Sequence, residues 1–207
     1  MINDCTAIIL AGGDARRMGS DKASLLLGGQ TLLQRVIAAM QQVFPHVIVS
    51  VRQHRPEIDL PQVCDERDGE GIHGGGPLAG LAAALGRITT PWAFVVACDM
   101  PFVEPAMVEL LAGYRSDYQA VVPVVQGHPQ PLAAYYAGSC LGKLRAHLAG
   151  GGKSSMRALL EQLRVRYVDG SVLLPADPAL RSFCDLDTPQ DMEIAIREFN
   201  GQGRTRS

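Results

Sequence analysis

The 207-residue sequence predicts an α/β fold in which helices cover both faces of a mixed, mostly parallel sheet, giving three layers. Short uncharged apolar runs alternate along the chain with stretches whose apolar residues recur at helical spacing. Such alternation favours parallel strands joined by right-handed crossovers. The length is slightly above the common size of one domain, so we expect a single domain over residues 1–200 and a flexible polar tail over residues 201–207.

The first half of the chain predicts three strands, each followed by a helix. Each predicted strand is an apolar run without Lys, Arg, Asp or Glu, as expected of a buried strand. In the first helix, Leu32, Val36 and Met40 recur at helical spacing. The predicted strands are Cys5–Leu10, His46–Val51 and Trp92–Cys98, and the predicted helices are Leu25–Val43, Pro77–Leu85 and Pro105–Leu111.

The second half of the chain interrupts this alternation. Two strand-like runs, Ala120–Val125 and Leu132–Tyr136, are separated only by QGHPQP. So short a connection indicates an antiparallel pair, and the sheet is therefore expected to be mixed. The remaining predicted elements are a helix over Met156–Leu163, a strand over Arg166–Val168, the end of a strand over Phe183–Leu186, and a helix from Pro189 to about Phe199.

Composition and charge argue against several classes of partner. The 19 Lys and Arg residues nearly balance the 21 Asp and Glu residues without long blocks of one sign, so neither a nucleic-acid nor a membrane partner is expected. The 5 cysteines are dispersed and form no CxxC pair, which predicts neither a disulfide framework nor a zinc cluster. The N-terminus lacks the basic start of a signal peptide, and no apolar run reaches the roughly 18 residues of a membrane span. We therefore expect a reducing, cytoplasmic location.

The loop after the first strand has the composition of an anion-binding turn. Gly12 and Gly13 allow backbone N–H groups to approach an anion, while Arg16 and Lys22 supply charge for the oxygens of a triphosphate. The loop contains no GxGxxG, and Met18 stands where a P-loop requires its second glycine. The alternative interpretation is an ordinary surface turn whose arginines are solvated.

Acidic residues follow two later apolar runs. Asp99 comes directly after WAFVVAC, which places a carboxylate at the carboxyl end of a strand, where it would hold Mg²⁺ against bound phosphates. A turn or helix cap is the alternative role. Asp185 and Asp187 form a second acidic pair, and we expect at least one of them to face the metal. Thr188 and Asp191 have the spacing of a helix capping box instead.

Five motifs follow one another along the chain: LAGGDARRMGSDK, GGGPLAG, ACDMPF, HPQPLAAYY and DLDTPQD. Taken together and in this order, they resemble the molybdenum cofactor guanylyltransferases. The resemblance extends from about Thr6 to Phe199 and implies a three-layer, Rossmann-like nucleotidyltransferase fold. It also implies transfer of GMP from GTP to molybdopterin, with Mg²⁺ as cofactor and pyrophosphate as product. Transient contacts with molybdopterin-delivery proteins and target-enzyme chaperones are further implications.

The resemblance also implies roles for individual positions. Lys22 falls where the family holds phosphate, and Asp99 matches the metal ligand. Asp185 and Asp187 match positions where relatives often carry Asn. The positions matched to nucleotide contacts are Leu10, Ala11, Gly12, Gly13, Lys22, Asp65 and Asp99, and the expected catalytic residues are Arg16, Lys22, Asp99, Asp185 and Asp187.

Three functions remain open at this stage. The first is the transfer of GMP from GTP. The absence of a side chain at Gly12 favours a purine nucleotide, but the one methyl group of an alanine there would discriminate between nucleotides by only about 1–3 kcal/mol. A CTP-dependent molybdopterin cytidylyltransferase or a sugar-phosphate nucleotidyltransferase is therefore the second function. The third is a non-catalytic, nucleotide-binding cofactor chaperone, against which Lys22 and Asp99 argue because binding alone does not require both. His128 and the glycine-rich segment over residues 150–155 are candidate contacts for the second substrate.

Overall fold

The computed structural model describes residues 1–12, 21–64, 76–150 and 155–202 of the chain. The strands are β1 (Cys5–Leu10), β2 (Leu26–Leu27), β3 (Gln30–Thr31), β4 (His46–Val51), β5 (Gln62–Cys64), β6 (Trp92–Ala97), β7 (Ala120–Val125), β8 (His128–Pro129), β9 (Ala133–Ala137) and β10 (Val165–Asp169). The α-helices are α1 (Leu32–Val43), α2 (Pro77–Leu85), α3 (Pro105–Ala112), α4 (Leu141–Ala149), α5 (Met156–Leu160) and α6 (Pro189–Gln202).

An eight-stranded sheet forms the middle layer, in the order β10-β7-β9-β6-β1-β4-β5, with the short β8 paired to β7. The first strand, β1, pairs in parallel with both β4 and β6. In contrast, β9 pairs antiparallel with β6 and with β7, while β7 pairs in parallel with β10. The predicted mixed sheet is therefore confirmed, including the antiparallel excursion that β9 makes.

Helices pack on both faces of the sheet because successive side chains of a strand point to opposite faces. Ile9 of β1 belongs to a core that includes Met40 of α1 and Met107 of α3. Ile8, its neighbour on the same strand, belongs to a second core that includes Leu81 of α2 and residues of α4 and α5. The three predicted layers are thus confirmed.

The predicted helix over Leu25–Val43 is wrong in its first part, because a hairpin of β2 and β3 precedes α1. Gly28 and Gly29 turn the hairpin with φ angles of 61° and 82°, which glycine adopts without steric cost. The helix then begins after Thr31, whose side chain accepts from the Gln34 backbone N–H while the Gln34 side chain accepts from the Thr31 N–H. This capping box stops the helix from extending further towards the N-terminus.

The strand predicted to end over Phe183–Leu186 is also wrong. Asp177 accepts hydrogen bonds from the backbone N–H groups of Arg181 at 3.0 Å and Ser182 at 2.8 Å. These two bonds favour the 3-10 turn that the chain forms over Arg181–Phe183. The segment after this turn is irregular and leads directly into α6.

Two helices differ from the sequence prediction in other ways. Helix α4 was not predicted, because Leu144 is the one fully buried residue among its described positions and its apolar periodicity is therefore weak. Helix α5 ends at Leu160, earlier than the predicted Leu163. Across the described parts of the chain, no helix has the combination of length and hydropathy that crossing a membrane requires.

Replacing Gly76 by Ala is expected to destabilise the protein. Gly76 precedes α2 with φ 119° and ψ 178°, a conformation that is essentially restricted to glycine, so we expect the free energy of unfolding to fall by about 1–3 kcal/mol. Chemical denaturation of the variant measures this loss. Gly142→Ala is the matched control, because a Cβ there meets no atom within 4 Å and helix propensity favours Ala by up to about 1 kcal/mol. Equal stabilities for the two variants would contradict the prediction.

Candidate nucleotide-binding and catalytic site

A cavity of about 140 Å³ lies at the carboxyl ends of β1 and β6. In open α/β sheets, ligands bind beyond the carboxyl ends of the strands, at the position where the connections change direction. Strand β1 occupies that position, because β4 lies on one side of it and β6 on the other. The cavity therefore lies where this architecture places a ligand.

Backbone hydrogen bonds fix the start of the glycine loop between the two neighbouring strands. The Ala11 N–H donates to the Ser50 carbonyl at 2.8 Å, and the Cys98 N–H donates to the Leu10 carbonyl at 3.0 Å. Leu10, Ala11 and Gly12 then form part of the cavity wall. The described part of the loop is thus held as a continuation of β1 and presents its backbone to a ligand.

Lys22 connects two carboxylates at the edge of this cavity. Its Nζ donates a hydrogen bond to Oδ2 of Asp99 at 3.0 Å and forms a second ion pair with Asp187. The Lys22 and Asp99 side chains are each only 18% exposed, so water screens this pair less than a surface pair. Burial by itself would lower the pKa of Lys22, but the hydrogen bonds and charges of Asp187 and Asp99 raise it above its usual value. The ammonium group is therefore charged at neutral pH.

The segment before α6 brings Asp187 to Lys22. The Leu186 N–H donates to the Asp99 carbonyl at 2.9 Å, which fixes the backbone one residue before Asp187. On the other side, the Thr188 N–H donates to the Asp191 carboxylate at 2.8 Å, and the Asp191 N–H donates to the Thr188 hydroxyl at 3.2 Å. The predicted capping role of Thr188 and Asp191 is therefore confirmed, and the cap orients the start of α6.

Asp185 adds further negative charge near this ion pair. Loss of hydration raises the pKa of its carboxyl group, and the charges of Asp187 and Asp99 raise it further. The three carboxylates therefore act on each other electrostatically, with Lys22 as a nearby cation. Burial is the main cause of the shift, and the two neighbouring carboxylates act in the same direction.

Close packing of α2 against β4 shapes one wall of the cavity. A Cβ at Gly80 would lie 2.7 Å from Oγ of Ser50, which is buried, and 3.4 Å from a methyl group of Leu10. A carbon atom does not approach an oxygen that closely, so the absence of a side chain allows the helix to pack here. Gly80 therefore has a packing role that positions Ser50 and Leu10 at the cavity.

Cys98 is the nucleophilic residue next to Asp99, but its environment suppresses its reactivity. Burial raises the pKa of its thiol to about 12, and the charges of Asp99 and Asp21 act in the same direction. The thiolate is therefore a negligible species at neutral pH. Cys98 is buried in the core cluster that includes Ile9 and is therefore a packing residue.

The carboxylates of this site are chemically suited to Mg²⁺. Within the described ranges, no group of three or more His, Cys, Asp or Glu side chains is arranged to hold a metal ion. Mg²⁺ nevertheless requires only one or two protein carboxylates, because water and phosphate oxygens fill its other positions. Asp99 and Asp187 already share one cation through their ion pairs with Lys22, and Asp185 is a third carboxylate whose charge interacts with theirs. The residues present therefore fit a magnesium ion that arrives with a nucleotide.

The residues that the sequence predicted for the site fall into three groups. Gly13, Arg16 and Asp65 lie outside the described residues, so their roles stay predictions. Asp187 reaches the cavity edge through Lys22, and Asp185 lies close enough for its pKa to respond to the same charges. The predicted residues that line the cavity together are Leu10, Ala11, Gly12, Lys22 and Asp99.

The sequence analysis missed an ion pair between Asp21 and Arg55. Asp21 lines the cavity next to Lys22, whereas Arg55 belongs to the loop between β4 and β5. The one sequence signal for this pair is the acid directly before Lys22, in a segment predicted to bind an anion, where a compensating cation would be favourable. The sequence did not reveal which of the many arginines supplies it.

Comparison with known proteins is decisive for the family. The family model of the MobA-like NTP transferase domain matches residues 7–167, which is most of the chain. This chain belongs to the MobA-like NTP transferase family. It is therefore a nucleotidyltransferase by family, and its sheet and helices form the three-layer nucleotidyltransferase fold.

Individual members of the MobA-like family resemble the chain over nearly its whole length. The probable molybdenum cofactor guanylyltransferase of Pelotomaculum thermopropionicum is 35% identical over 206 residues, which cover 97% of this chain and 95% of that protein. The corresponding Chloroflexus aggregans protein is 36% identical and covers 91% of this chain and 92% of its own length. The crystal structure of molybdopterin-guanine dinucleotide biosynthesis protein A from Archaeoglobus fulgidus superposes with a TM-score of 0.82 at 28% identity, covering 95% of this chain and 99% of that chain.

Removing the charge of Asp185 is expected to stabilise the protein at neutral pH. The folded-state pKa of this carboxyl is raised, so its contribution to stability is present below the unfolded-state pKa and is lost as the pH rises through the folded-state pKa. We therefore expect Asp185→Asn to have a higher Tm than the parent protein at pH 7.5, and we expect this difference to shrink towards pH 3.

Asp169→Asn is the control for this measurement. A hydrogen bond from the Ser171 side chain, and one from its backbone, lower the pKa of the Asp169 carboxyl, so the sign of the charge effect is opposite. Thermal unfolding of both variants between pH 3 and pH 7.5 tests the assignment. A lower Tm for Asp185→Asn at pH 7.5 would show that its carboxylate is compensated.

Proposed function

We propose that this protein transfers GMP from GTP to molybdopterin, forming the guanine dinucleotide of the cofactor and releasing pyrophosphate. The observation that carries this proposal is the charged Lys22 between Asp99 and Asp187, at the edge of a cavity that β1 enters. A cation beside carboxylates suits a triphosphate that arrives with a metal ion. The named relatives and the structural neighbour, which cover nearly the whole chain, support guanine nucleotide chemistry.

The reaction requires positioning and charge compensation more than acid-base catalysis. The terminal phosphate monoester of molybdopterin is largely ionised at neutral pH, because its second pKa is about 6. One of its oxygens forms a bond to the α-phosphorus of GTP while the bond between that phosphorus and the bridging oxygen to the β-phosphate breaks. The electron pair leaves with pyrophosphate, and no proton has to be removed from the acceptor.

The residues of the cavity divide these tasks between them. Backbone groups at Ala11 and Gly12 face the nucleotide, and the Lys22 ammonium binds phosphate oxygens of the leaving pyrophosphate, as Arg16 does in this proposal. Asp99 would hold Mg²⁺, and Asp187 or Asp185 would supply the second carboxylate; Asp99 and Asp187 both already pair with the Lys22 ammonium. When bound, this ion neutralises charge on the phosphates. Asp65 is proposed as a further nucleotide contact.

Guanine selection is proposed to depend on the absence of a side chain at Gly12. This residue lines the cavity two positions after the end of β1, and in this proposal an added methyl group would occupy space that the base takes. Packing between α2 and β4 keeps the opposite wall in place, since Gly80 and Ser50 are in close contact. A purine therefore fits against the backbone, although the free-energy difference from one methyl is only about 1–3 kcal/mol.

We assign the molybdopterin acceptor to a second cavity, of about 520 Å³, whose lining includes Leu186, the residue that donates a backbone hydrogen bond to the Asp99 carbonyl. This volume lies in the range of about 300–1,000 Å³ that suits an organic ligand. His128 and Arg181 line the cavity and supply polar and cationic groups. The assignment agrees with the expectation that His128 meets the second substrate.

Cellular context belongs to the same proposal. All 5 cysteines of the chain lie in described segments and are free thiols, which supports a reducing cytoplasmic location. We also propose transient contacts with molybdopterin-delivery proteins and with chaperones of the enzymes that receive the cofactor. Co-purification from a molybdopterin-producing host tests these contacts.

The function is tested by pyrophosphate release in the presence of Mg²⁺ and molybdopterin, with GTP, CTP, ATP and UTP compared side by side. We expect GTP to support release at a rate at least about tenfold above the other nucleotides, which corresponds to about 1.4 kcal/mol. Preference for CTP would overturn the role of Gly12 but retain the chemistry. Nucleotide binding without release, even with molybdopterin present, would favour the non-catalytic chaperone.

Substitution of the charged residues tests the proposed division of tasks. We expect Asp99→Asn to lower kcat by about 100-fold or more, and Lys22→Met to raise the KM for GTP by about tenfold or more, because each removes charge compensation at the phosphates. Steady-state kinetics measures both values, and circular dichroism checks the fold. Asp117→Asn is the matched control, because Asp117 lies between α3 and β7, is not among the residues that line the cavity, and has a φ of 65° that Asn tolerates. Equal rates for all three variants would remove the proposed site.

A further inference from the structure

Asp21 is an acid in an unexpected place, since it lines the nucleotide cavity directly before Lys22. Its carboxylate starts the 3-10 helix over Lys22–Ser24 by accepting a hydrogen bond from the Ala23 N–H at 3.3 Å. The Ser24 hydroxyl donates to the same carboxylate at 2.8 Å. Asp21 therefore determines the backbone conformation of the residue that carries the phosphate-binding ammonium.

Arg55 compensates the charge of Asp21 from a different part of the fold. Its guanidinium group forms an ion pair with Oδ2 of Asp21, and its side chain is only 20% exposed. Gln62 of β5 holds the Arg55 backbone from both directions: the Arg55 N–H donates to Gln62 Oε1 at 2.9 Å, and Gln62 Nε2 donates to the Arg55 carbonyl at 2.8 Å. A strand of the sheet thus fixes the position of the guanidinium group.

The ion pair has an electrostatic consequence for a triphosphate. An uncompensated Asp21 carboxylate at the cavity wall would repel the phosphates that Lys22 attracts, and it would also compete for that ammonium. Asp21 lines the same cavity as Cys98, the residue after β6, and the charges of both Asp21 and Arg55 act on the pKa of the Cys98 thiol. With Arg55 in place, the pair contributes almost no net charge there.

We infer that Arg55 is a positioning residue for nucleotide binding, which acts through Asp21 to hold the turn of Lys22 and to neutralise the carboxylate next to it. The contacts that connect the sheet to the Lys22–Ser24 turn run from Gln62 to Arg55 and from Arg55 to Asp21. This inference rests on the proposed function in so far as the bound phosphate belongs to GTP. It assigns a role in the site to the loop between β4 and β5, which contributes no other residue named in the mechanism.

A purely structural surface pair is the competing explanation, and the chain offers a control for it. Glu57 is a second carboxylate near Arg55, with Oε1 at 3.9 Å from the guanidinium Nη1, and its side chain is 64% exposed. Glu57 belongs to the same loop as Arg55 but has no role in the turn. Glu57→Gln therefore removes a charge next to Arg55 without affecting Asp21.

The test is a double-mutant cycle with Arg55→Met, Asp21→Asn and the combined variant, with Arg55→Lys and Glu57→Gln alongside. We expect Arg55→Met to raise the KM for GTP about tenfold with kcat changed less than about threefold, because Asp99 and Asp187 are untouched. Arg55→Lys is expected to recover most of this loss. In the Asp21→Asn background, Arg55→Met is expected to have no further effect, since its action passes through Asp21.

Three results would overturn the inference. They are a full additional effect of Arg55→Met in the Asp21→Asn background, an equal effect of Glu57→Gln, or a lower Tm with an unchanged KM. Calorimetric binding of inorganic tripolyphosphate to the same variants separates this inference from the proposed function. Equal tripolyphosphate affinity in the parent protein and Arg55→Met would overturn the inference, whereas absence of pyrophosphate release from GTP by the parent protein would overturn only the proposed function.

Discussion

The ammonium group of Lys22 is the interaction on which the organisation of the site depends. It joins Asp99, at the end of β6, to Asp187, in the segment before α6, and Lys22 itself follows the glycine loop after β1. Three chain segments that are far apart in sequence thus meet at one cation. Because the carboxylates raise the pKa of this ammonium, its charge persists over the whole range of physiological pH.

Backbone hydrogen bonds hold the segments that carry Asp99 and Asp187 next to each other. The Cys98 N–H donates to the Leu10 carbonyl, which joins the residues that follow β6 to the end of β1. The Leu186 N–H donates to the Asp99 carbonyl, which joins the irregular segment before α6 to the same residues. Packing of α2 through Gly80 closes the wall beside them. The cavity is therefore a product of the sheet architecture, and the charged residues are placed by rigid elements.

Several carboxylates lie at or near this site among the described residues. Burial, together with the charges of Asp187 and Asp99, raises the pKa of Asp185, while Asp21 is compensated by Arg55. Such a balance suits a nucleotide that arrives as a metal complex, because positive charge enters together with the phosphates. The site thus places a cation, Lys22, among carboxylates at one cavity, which supports the proposed metal-dependent transfer of a nucleotide.

The sequence by itself determined the order of most strands and helices, the position where the glycine loop begins after β1 and the acid that follows β6, because hydrophobic periodicity and glycine punctuation are local signals. It failed for the hairpin before α1 and for the segment over Phe183–Leu186, where side-chain hydrogen bonds to the backbone override the apolar pattern. Only the tertiary structure decided that Asp187 reaches Lys22 and that Arg55 compensates Asp21. Each of these pairs joins segments distant in the chain, and the choice of partner depends on how the elements pack, which no local pattern encodes.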